Sequence, residues 1–346
     1  MGVFSTGGVG IDLGSANVTI CLENEGIVLR EPSYVLTLRD DIDEIIAVGR
    51  DARQMLGRTP KDCTLLSPVM DGAVGNIELT TALMRRLAEK ALGKRRALEK
   101  NRLVVSMSQG ATRVERAALE EAVRTTGARR AALIRTSVAA ALGAGIPIEE
   151  PRGSMLILIG GSTTEVCIMS MNGVVAARTM RTGSLALDEA IMRYIRREKK
   201  LIIGQRTAED LKIDLGTAVM NPSLSRDKVA LRGRDALSGK PATVYITAED
   251  IHNAIMPQVE MLVENIRDAF ENIPPELAED ILPQGIYLSG GGAQLEGLSD
   301  RLGEMLRLNV MVHENPQDDV ALGACLAASN DRLAQKIALS GCLIEV

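Results

Sequence analysis

Two stretches of the chain, about half its length apart, share one hydrophobic pattern. In residues 10–22, mostly apolar runs at 11–13 and 18–22 flank a short turn of small and polar residues. In residues 155–169, two apolar runs flank the glycine-containing turn at 160–164 in the same way. Apolar runs on both sides of a tight turn predict β-hairpins. Because the pattern recurs about once per half, it predicts an internal duplication with two similar lobes facing each other across a cleft.

The rest of the chain alternates between short apolar runs and helical patterns, which predicts an α/β fold. Further strands are predicted at 103–107, 131–134 and 286–289, and helices at 112–126, around 139–141, at 187–198, 207–217 and 294–306, and from 331 onward. A long helix is predicted from Thr247, with Pro257 as a potential kink. Residues 220–239 are polar and are predicted as turns.

Composition narrows the classes of function. The 346 residues exceed the usual size of one domain and favour two. A net charge of -5 and an aromatic content of 2% argue against a nucleic-acid partner, which would need basic surface and stacking platforms. Five scattered cysteines indicate a reducing compartment, so we expect a cytoplasmic protein. No apolar run reaches the roughly 18 residues of a spanning helix, so any membrane contact is expected to be peripheral.

The turns of both hairpins carry residues suited to phosphate binding. Backbone NH groups can hold phosphate oxygens only where no bulky side chain blocks the approach, and hydroxyl groups add donors. Ser15, Ser162, Thr163 and Thr164 supply such hydroxyls. A third glycine-rich loop follows the last predicted strand, at 290–293. One such loop alone is better explained as an ordinary turn, whereas three together favour a nucleotide site.

A series of short segments, spread in order along nearly the whole chain, is more specific than any single glycine motif. The segments are 11–17, 26–33, 48–52, 55–60, 71–72, 112–116, 143–145, 161–166, 188–191, 207–212, 232–235 and 290–293. Together they resemble the MreB/Mbl family of bacterial actin-like, rod shape-determining proteins, of which this chain looks like a divergent member. The resemblance implies an actin-like, ribonuclease H-like duplicated α/β fold whose two lobes enclose a cleft for ATP and Mg²⁺. It also implies filaments of the protein itself at the inner face of the cell membrane, directing cell shape with the cell-wall elongation machinery.

The resemblance assigns a site position by position. The implied nucleotide-binding residues are Asp12, Gly14, Ser15, Ala16 and Asn17 in the first loop, Gly160, Gly161, Ser162, Thr163 and Thr164 in the second, Glu209 and Lys212 near the ribose and base, and Gly290, Gly291 and Gly292 at the adenosine. Asp12 is also implied to hold Mg²⁺ through water. Without the family context, Glu209 and Lys212 would be interpreted as an exposed helix pair.

The lobes follow from the same resemblance. The first lobe is expected to comprise residues 1–150 with 312–346 and to carry a small insertion at about 32–68. The second is expected to comprise residues 151–311, with an insertion at about 183–242.

Glu115 has two interpretations. It is a candidate catalytic acid, but Thr112 stands three residues earlier and completes the Thr-x-x-Glu pattern of a helix capping box. The cap is preferred, because the catalytic glutamate of the family belongs to a different motif.

Three positions depart from the family where hydrolysis would be decided. The run 135–137, with Thr136 at its centre, stands where the family has a Glu-Glu-Pro motif that contains the catalytic glutamate. Leu158 stands in place of an aspartate of the second loop, and Leu185 in place of an aspartate before the next helix. Backbone phosphate contacts survive such losses, whereas the positioning of water and metal does not. We therefore expect at most a weak ATPase, with no catalytic residue assigned. A scaffold that copolymerises with an active paralogue stays open as an alternative, and a small-molecule kinase of the same fold is less favoured.

The basic segment 93–100 lies between a predicted helix and a predicted strand, where some members of the family touch the membrane. Its cations would each add roughly 1 kcal/mol of attraction near an anionic leaflet. A solvated helix end explains the segment at least as well. The N-terminal residues 1–4 are too few for an amphipathic anchor.

Overall fold

The computed structural model describes residues 7–346 except 40, 43, 95, 221–226 and 272. The described strands are β1 (Gly8–Leu13), β2 (Asn17–Leu22), β3 (Gly26–Pro32), β4 (Val35–Leu38), β5 (Ile45–Val48), β6 (Cys63–Leu66), β7 (Val69–Met70), β8 (Ala73–Val74), β9 (Arg102–Met107), β10 (Arg130–Arg135), β11 (Ser154–Ile159), β12 (Thr164–Ser170), β13 (Gly173–Met180), β14 (Leu201–Ile202), β15 (Val229–Asp235), β16 (Pro241–Ile246), β17 (Ile286–Ser289), β18 (Val310–Val312) and β19 (Leu343–Glu345). The described helices are α1 (Gly49–Arg53), α2 (Ile77–Leu92), α3 (Arg113–Arg124), α4 (Thr136–Gly143), α5 (Leu185–Glu198), α6 (Gln205–Leu215), α7 (Ala248–Glu271), α8 (Pro275–Gln284), α9 (Leu298–Leu306), α10 (Asp319–Ser329) and α11 (Asp331–Leu339).

Two large sheets repeat one arrangement. The first has the strand order β19-β10-β9-β1-β2-β3 and the second the order β13-β12-β11-β17-β18. In each, an antiparallel hairpin supplies a strand, β1 or β11, that also pairs in parallel with a later strand, β9 or β17. The two turns close alike, since the NH of Gly14 donates to the carbonyl of Asn17 at 3.1 Å and that of Gly160 to Thr163 at 2.8 Å. Both predicted hairpins are therefore confirmed, and their likeness supports the predicted duplication.

Helices α4 and α10 form the layer between the two sheets. Their small apolar residues share one buried cluster with side chains of β9 and β10 on one side and of β11 and β12 on the other. The helices approach so closely that a Cβ atom at Gly323 would lie 1.8 Å from the carbonyl oxygen of Ala139. This tight contact joins the two halves of the molecule beneath the edge where both hairpin turns lie.

Two small sheets are inserted beyond the large ones. Strands β5-β4-β6 follow the first hairpin region, and strands β14-β15-β16 follow α5. The prediction of turns for residues 220–239 is wrong for 229–235, which form β15 and pair with β16. Of the β15 side chains only Leu231 is buried, so the strand has almost no hydrophobic pattern to reveal it. Residues 221–226 of the predicted turn lie outside the described residues.

Other elements differ from prediction mainly at their ends. The helix expected at 294–306 begins at Leu298, because Gly291–Gln294 forms a separate 3₁₀ turn. The apolar C-terminal end is strand β19, which pairs with β10. The long helix is confirmed as α7 and contains Pro257 in its interior. Within the described residues, no helix has the length and apolar character needed to cross a membrane.

Candidate functional site

A cavity of about 350 Å³ lies between the turns of the two hairpins and is also lined by residues of α6 and of the loop after β17. Its walls include fourteen of the fifteen residues that the family resemblance assigned, namely Asp12, Gly14, Ser15, Ala16, Asn17, Gly160, Gly161, Ser162, Thr163, Glu209, Lys212, Gly290, Gly291 and Gly292. Thr164 is absent from this lining. It is fully buried, and its hydroxyl donates to the carbonyl of Thr182 at 2.9 Å, so it supports the second turn from behind.

The two turns touch across the cavity. The hydroxyl oxygens of Ser15 and Ser162 are hydrogen-bonded at 2.7 Å. A Cβ atom at Gly161 would lie 2.9 Å from the Cβ of Ala16, which is closer than real Cβ contacts allow. Glycine is therefore required at 161 for this contact, and both turns line one space.

The third glycine-rich loop is held against β11. Gly290 has φ 86° and ψ 164°, and a Cβ atom there would lie 2.3 Å from the carbonyl oxygen of Ile159. Its NH donates to the carbonyl of Pro316 at 2.9 Å. Gly291, by contrast, has no atom within 4 Å of the place where its Cβ would be. The loop thus presents an open backbone at Gly291 and a fixed one at Gly290.

Asp12 lies at the floor of the cavity, near the end of β1. Its Oδ1 accepts a hydrogen bond from the hydroxyl of Ser106 at 2.9 Å, and that hydroxyl accepts one from the NH of Leu13 at 3.0 Å. Burial raises the pKa of Asp12 to about 6, and the Ser106 hydrogen bond opposes this only in part. A positively charged ligand near Asp12 would stabilise its ionised form.

Glu209 and Lys212 do not form an isolated exposed pair on α6. Glu209 forms an ion pair with Arg53 of α1, from the other side of the cleft. Lys212 is 13% exposed, and its Nζ lies 2.7 Å from Oδ1 of the buried Asp188. Burial raises the pKa of Asp188 to about 6, although Lys212 lowers it. The interpretation as an exposed helix pair is therefore wrong for Lys212.

Glu115 is the capping residue that its sequence context predicted. Its Oε2 accepts from the NH of Thr112 at 2.8 Å, while its own NH donates to the Thr112 hydroxyl at 3.2 Å. A second contact was not predicted: Oε1 of Glu115 accepts a hydrogen bond from Nη2 of Arg181 at 2.7 Å. The hydrogen bond from the Thr112 backbone and the Arg181 contact both lower the pKa of Glu115. The residue closes a helix and bridges the cleft.

Comparison with known proteins identifies this arrangement. The family model described as MreB/Mbl protein matches residues 6–336. The chain belongs to the MreB/Mbl family. It is 37% identical over 329 residues to the cell shape-determining protein Mbl of Bacillus subtilis, covering 95% of this chain and 98% of that protein. It is 38% identical over 325 residues to the cell shape-determining protein MreB of Escherichia coli K12, covering 93% of each chain.

Solved structures agree with this assignment. The chain is similar to MreB5 of Spiroplasma citri, crystallised with ADP, with a TM-score of 0.87, 29% identity and coverage of 97% of this chain and 98% of that one. A structure named as the MamK double helical filament has a TM-score of 0.75 at 21% identity, covering 94% and 98%, and bears on the fold alone. The predicted actin-like fold is confirmed.

The three departures from the MreB/Mbl pattern all line the cavity. Thr136 is the first residue of α4, Leu158 lies on β11, and Leu185 is the first residue of α5. The NH of Leu185 donates to the carbonyl of Gly161 at 2.8 Å, so this backbone still supports the second turn. None of these three positions carries the acidic side chain that the family resemblance implies there.

Sequence reasoning gave no role to Glu165. This carboxylate is 2% exposed, lines the cavity from β12, and accepts hydrogen bonds from the hydroxyl of Ser108 and the NH of Gln109, both at 2.8 Å. The sequence did contain an indication of its importance, because Glu165 is a single acid directly before the apolar run 166–169. A charged residue beside a buried strand is a candidate for function.

Of the segment 93–100 that was considered for membrane contact, Gly93, Lys94, Arg96, Glu99 and Lys100 are exposed, whereas Leu98 is buried. Its 3₁₀ turn, Ala97–Lys100, follows Arg96, which has φ 51° and whose NH donates to Oε1 of Glu89 at 3.0 Å. Arg95 and the N-terminal residues 1–4 lie outside the described residues. Membrane contact stays a prediction.

Proposed function

We propose that this chain is an actin-like cytoskeletal protein that binds ATP in the cleft and polymerises into filaments directing cell shape. The observation that carries the proposal is the meeting of two equivalent turns, with Ser15 and Ser162 hydrogen-bonded across a cavity that a third glycine loop also lines. The names of Mbl and MreB and the ADP bound to MreB5 support it.

In this proposal the backbone holds the phosphates. The turns at 14–17 and 160–163 line one space, where their free NH groups would surround the phosphate chain. The loop at 290–292 would contact the adenosine, with open space at Gly291. Glu209 and Lys212 line the same cavity and would reach the ribose and base after exchanging their present ion-pair partners.

The site suits Mg²⁺ carried by the nucleotide. Mg²⁺ in nucleotide sites takes one or two carboxylates together with phosphate oxygens and water. Asp12 provides a carboxylate at the cavity floor, and its raised pKa of about 6 shows that its charge is poorly compensated there. We infer that Asp12 would hold the ion through water. When bound, the ion would neutralise phosphate charge and keep the phosphate oxygens in place.

Turnover is proposed to be weak or lost. Phosphoryl transfer depends on positioning the attacking water and on stabilising charge. The threonine at 136 cannot accept a proton from water as a carboxylate does, and the leucines at 158 and 185 offer no polar atom. These residues also favour the alternative of a non-dynamic scaffold that copolymerises with an active paralogue.

The cellular setting belongs to the same proposal. We place the filaments in the cytoplasm at the inner face of the cell membrane, in peripheral contact with it and with the cell-wall elongation machinery. The lobes are proposed to divide as residues 1–150 with 312–346 against 151–311. Strand pairing supports this division to within one residue, since β19 joins the first large sheet and β18, which ends at Val312, joins the second.

The test is sedimentation of the purified protein with ATP, with the non-hydrolysable analogue AMPPNP and without nucleotide, with phosphate release followed in the same tubes. Pelleting with both nucleotides and little phosphate release is the expected result. Phosphate release well above that of an Asp12→Asn control, at equal amounts of polymer, would contradict weak turnover. Phosphate release without polymer would favour a kinase, and pelleting that ignores nucleotide would favour the scaffold.

A further inference from the structure

The two hairpins differ in where they place an acid. In the first, Asp12 of β1 stands directly opposite Thr19 of β2. In the second, the equivalent rung pairs Leu158 of β11 with Glu165 of β12. Residues directly opposite each other on antiparallel strands project to the same face of the sheet. Glu165 therefore lies on the face, and at the level, where an acid at position 158 would lie, and each hairpin brings one carboxylate to the cavity.

The Glu165 carboxylate has one oxygen in use and one oxygen free. Oε1 accepts both hydrogen bonds from Ser108 and Gln109, whereas Oε2 is buried and has no hydrogen-bond partner among the described residues. Burial raises the pKa of Glu165, while those two hydrogen bonds and the charge of Arg135 lower it. Buried polar atoms are nearly always paired, so a free carboxylate oxygen at a cavity wall indicates a ligand or its water.

A purely structural role explains only part of this geometry. Ser108 and Gln109 follow β9 in the first half of the chain, so the Oε1 contacts connect the two halves. Arg135 holds the same segment, since its Nη1 lies 3.3 Å from the carbonyl oxygens of both residues. These contacts fix the side chain of Glu165, but they leave Oε2 unpaired in a residue that lines the same cavity as Asp12.

We propose that Glu165 is the second carboxylate that holds the hydrated Mg²⁺ of the bound nucleotide, across the cavity from Asp12. The inference rests on the proposed nucleotide binding. Mg²⁺ keeps several of its waters, and these waters are hydrogen-bond donors that Oε2 would accept. Leu158 cannot provide such an acceptor, so in this chain the second half contributes its carboxylate from β12 instead of β11.

The test measures metal affinity and nucleotide affinity separately. Mn²⁺ replaces Mg²⁺ as a paramagnetic probe of the full-length protein with ADP, and nucleotide affinity is measured in EDTA with a fluorescent ADP analogue. Glu165→Gln is expected to weaken Mn²⁺ binding to the nucleotide complex by about tenfold, as the loss of an outer-shell partner does. Its nucleotide affinity in EDTA is expected to stay within twofold of the wild-type value.

Three further variants make the result specific. Glu31→Gln changes an equally buried carboxyl, 4% exposed and outside the cavity, and is expected to leave Mn²⁺ affinity unchanged. Leu158→Asp, added to Glu165→Gln, is expected to restore Mn²⁺ affinity. Glu165→Asp keeps the charge but shortens the side chain by one methylene. If the glutamine variant does not fold, this variant is used instead, with an expected several-fold loss of Mn²⁺ affinity.

Each outcome decides the inference. Wild-type Mn²⁺ affinity in a folded Glu165→Gln variant, or in Glu165→Asp when the glutamine variant does not fold, would show that Glu165 only connects the two halves. Nucleotide binding by the wild type that is indifferent to Mn²⁺ would also overturn the inference, while leaving the proposed nucleotide site standing. A wild-type protein that binds no nucleotide at all would overturn the proposed function itself.

Discussion

Replacing Gly290 by alanine tests the third glycine loop most directly. At φ 86° and ψ 164° the residue occupies a region of backbone space that is essentially restricted to glycine, which costs about 1–3 kcal/mol for other residues. The new Cβ would also lie 2.3 Å from the carbonyl oxygen of Ile159. The loop must therefore move away from β11, which lengthens the 2.9 Å hydrogen bond from the Gly290 NH to Pro316. Losing that bond adds about 0.5–1.5 kcal/mol.

The expected destabilisation is at least about 2 kcal/mol, or a fall in melting temperature of roughly 4–8 °C. Thermal unfolding followed by circular dichroism measures it, and a fluorescent ATP analogue measures binding in parallel. Gly291→Ala is the matched control, because its methyl group would meet no atom within 4 Å. We expect that variant to melt within about 2 °C of wild type. Its methyl group enters the cavity, so it should still bind nucleotide less tightly.

The two glycines thus separate folding from binding. If Gly290→Ala has the same melting temperature as the wild type, the backbone strain argued for this loop is refuted. If Gly291→Ala binds nucleotide as tightly as wild type, the loop does not contact the adenosine. Equal loss of stability in both variants would mean that the loop is sensitive to any side chain, and the distinction between its fixed and open positions would fail.

Three further results are expected. Because the pKa of Asp12 is raised from 3.8 to about 6, the folded state holds a proton that the unfolded state releases, and stability falls as pH rises from about 4 to 6. Asp12→Asn should remove that fall, so its unfolding free energy relative to wild type should be up to about 3 kcal/mol higher at pH 7 than at pH 4. The same stability difference from wild type at both pH values would contradict this. Arg181→Ala removes the ion pair to Glu115 across the cleft, so bound nucleotide should be released about two- to fivefold faster, at low salt only. Chasing a labelled nucleotide with unlabelled nucleotide measures this rate, and a change that does not depend on salt would contradict the prediction. Thr136→Glu should raise phosphate release per polymer, and no rise would mean that the other departures suffice to prevent hydrolysis.

The features that local pattern decides were predicted from the sequence. The hairpins at β1-β2 and β11-β12 follow from apolar runs on either side of small residues, and the cap at Thr112 follows from a four-residue motif. Helix α7 follows from apolar residues at helical spacing, which outweigh Pro257 in its interior. In each case the deciding interactions lie within a few residues or along one face of an element, so the sequence carries them directly.

The features that depend on distant partners were not predicted. The ion pair between Lys212 and Asp188, the one between Glu209 and Arg53, and the hydrogen bonds to Glu165 join residues that only the tertiary fold brings together. Without the family context, the sequence indicated only an exposed helix pair for Glu209 and Lys212. Of the residues that the family resemblance assigned to nucleotide binding, Thr164 does not line the cavity, because the spacing of a turn does not reveal which hydroxyl points inward. Nucleotide binding by the others stays a prediction.

The distribution of the departures suggests why binding and turnover would separate in this chain. The phosphate contacts proposed here come from backbone NH groups, which no side-chain substitution at 136, 158 or 185 removes. The cleft is also bridged by contacts that need no nucleotide, namely Ser15 with Ser162 and Arg181 with Glu115. A protein that closes readily on ATP but hydrolyses it slowly would keep its filaments in the nucleotide-bound state. Such filaments should persist after free ATP is removed, a behaviour that suits a stable scaffold better than a dynamic polymer.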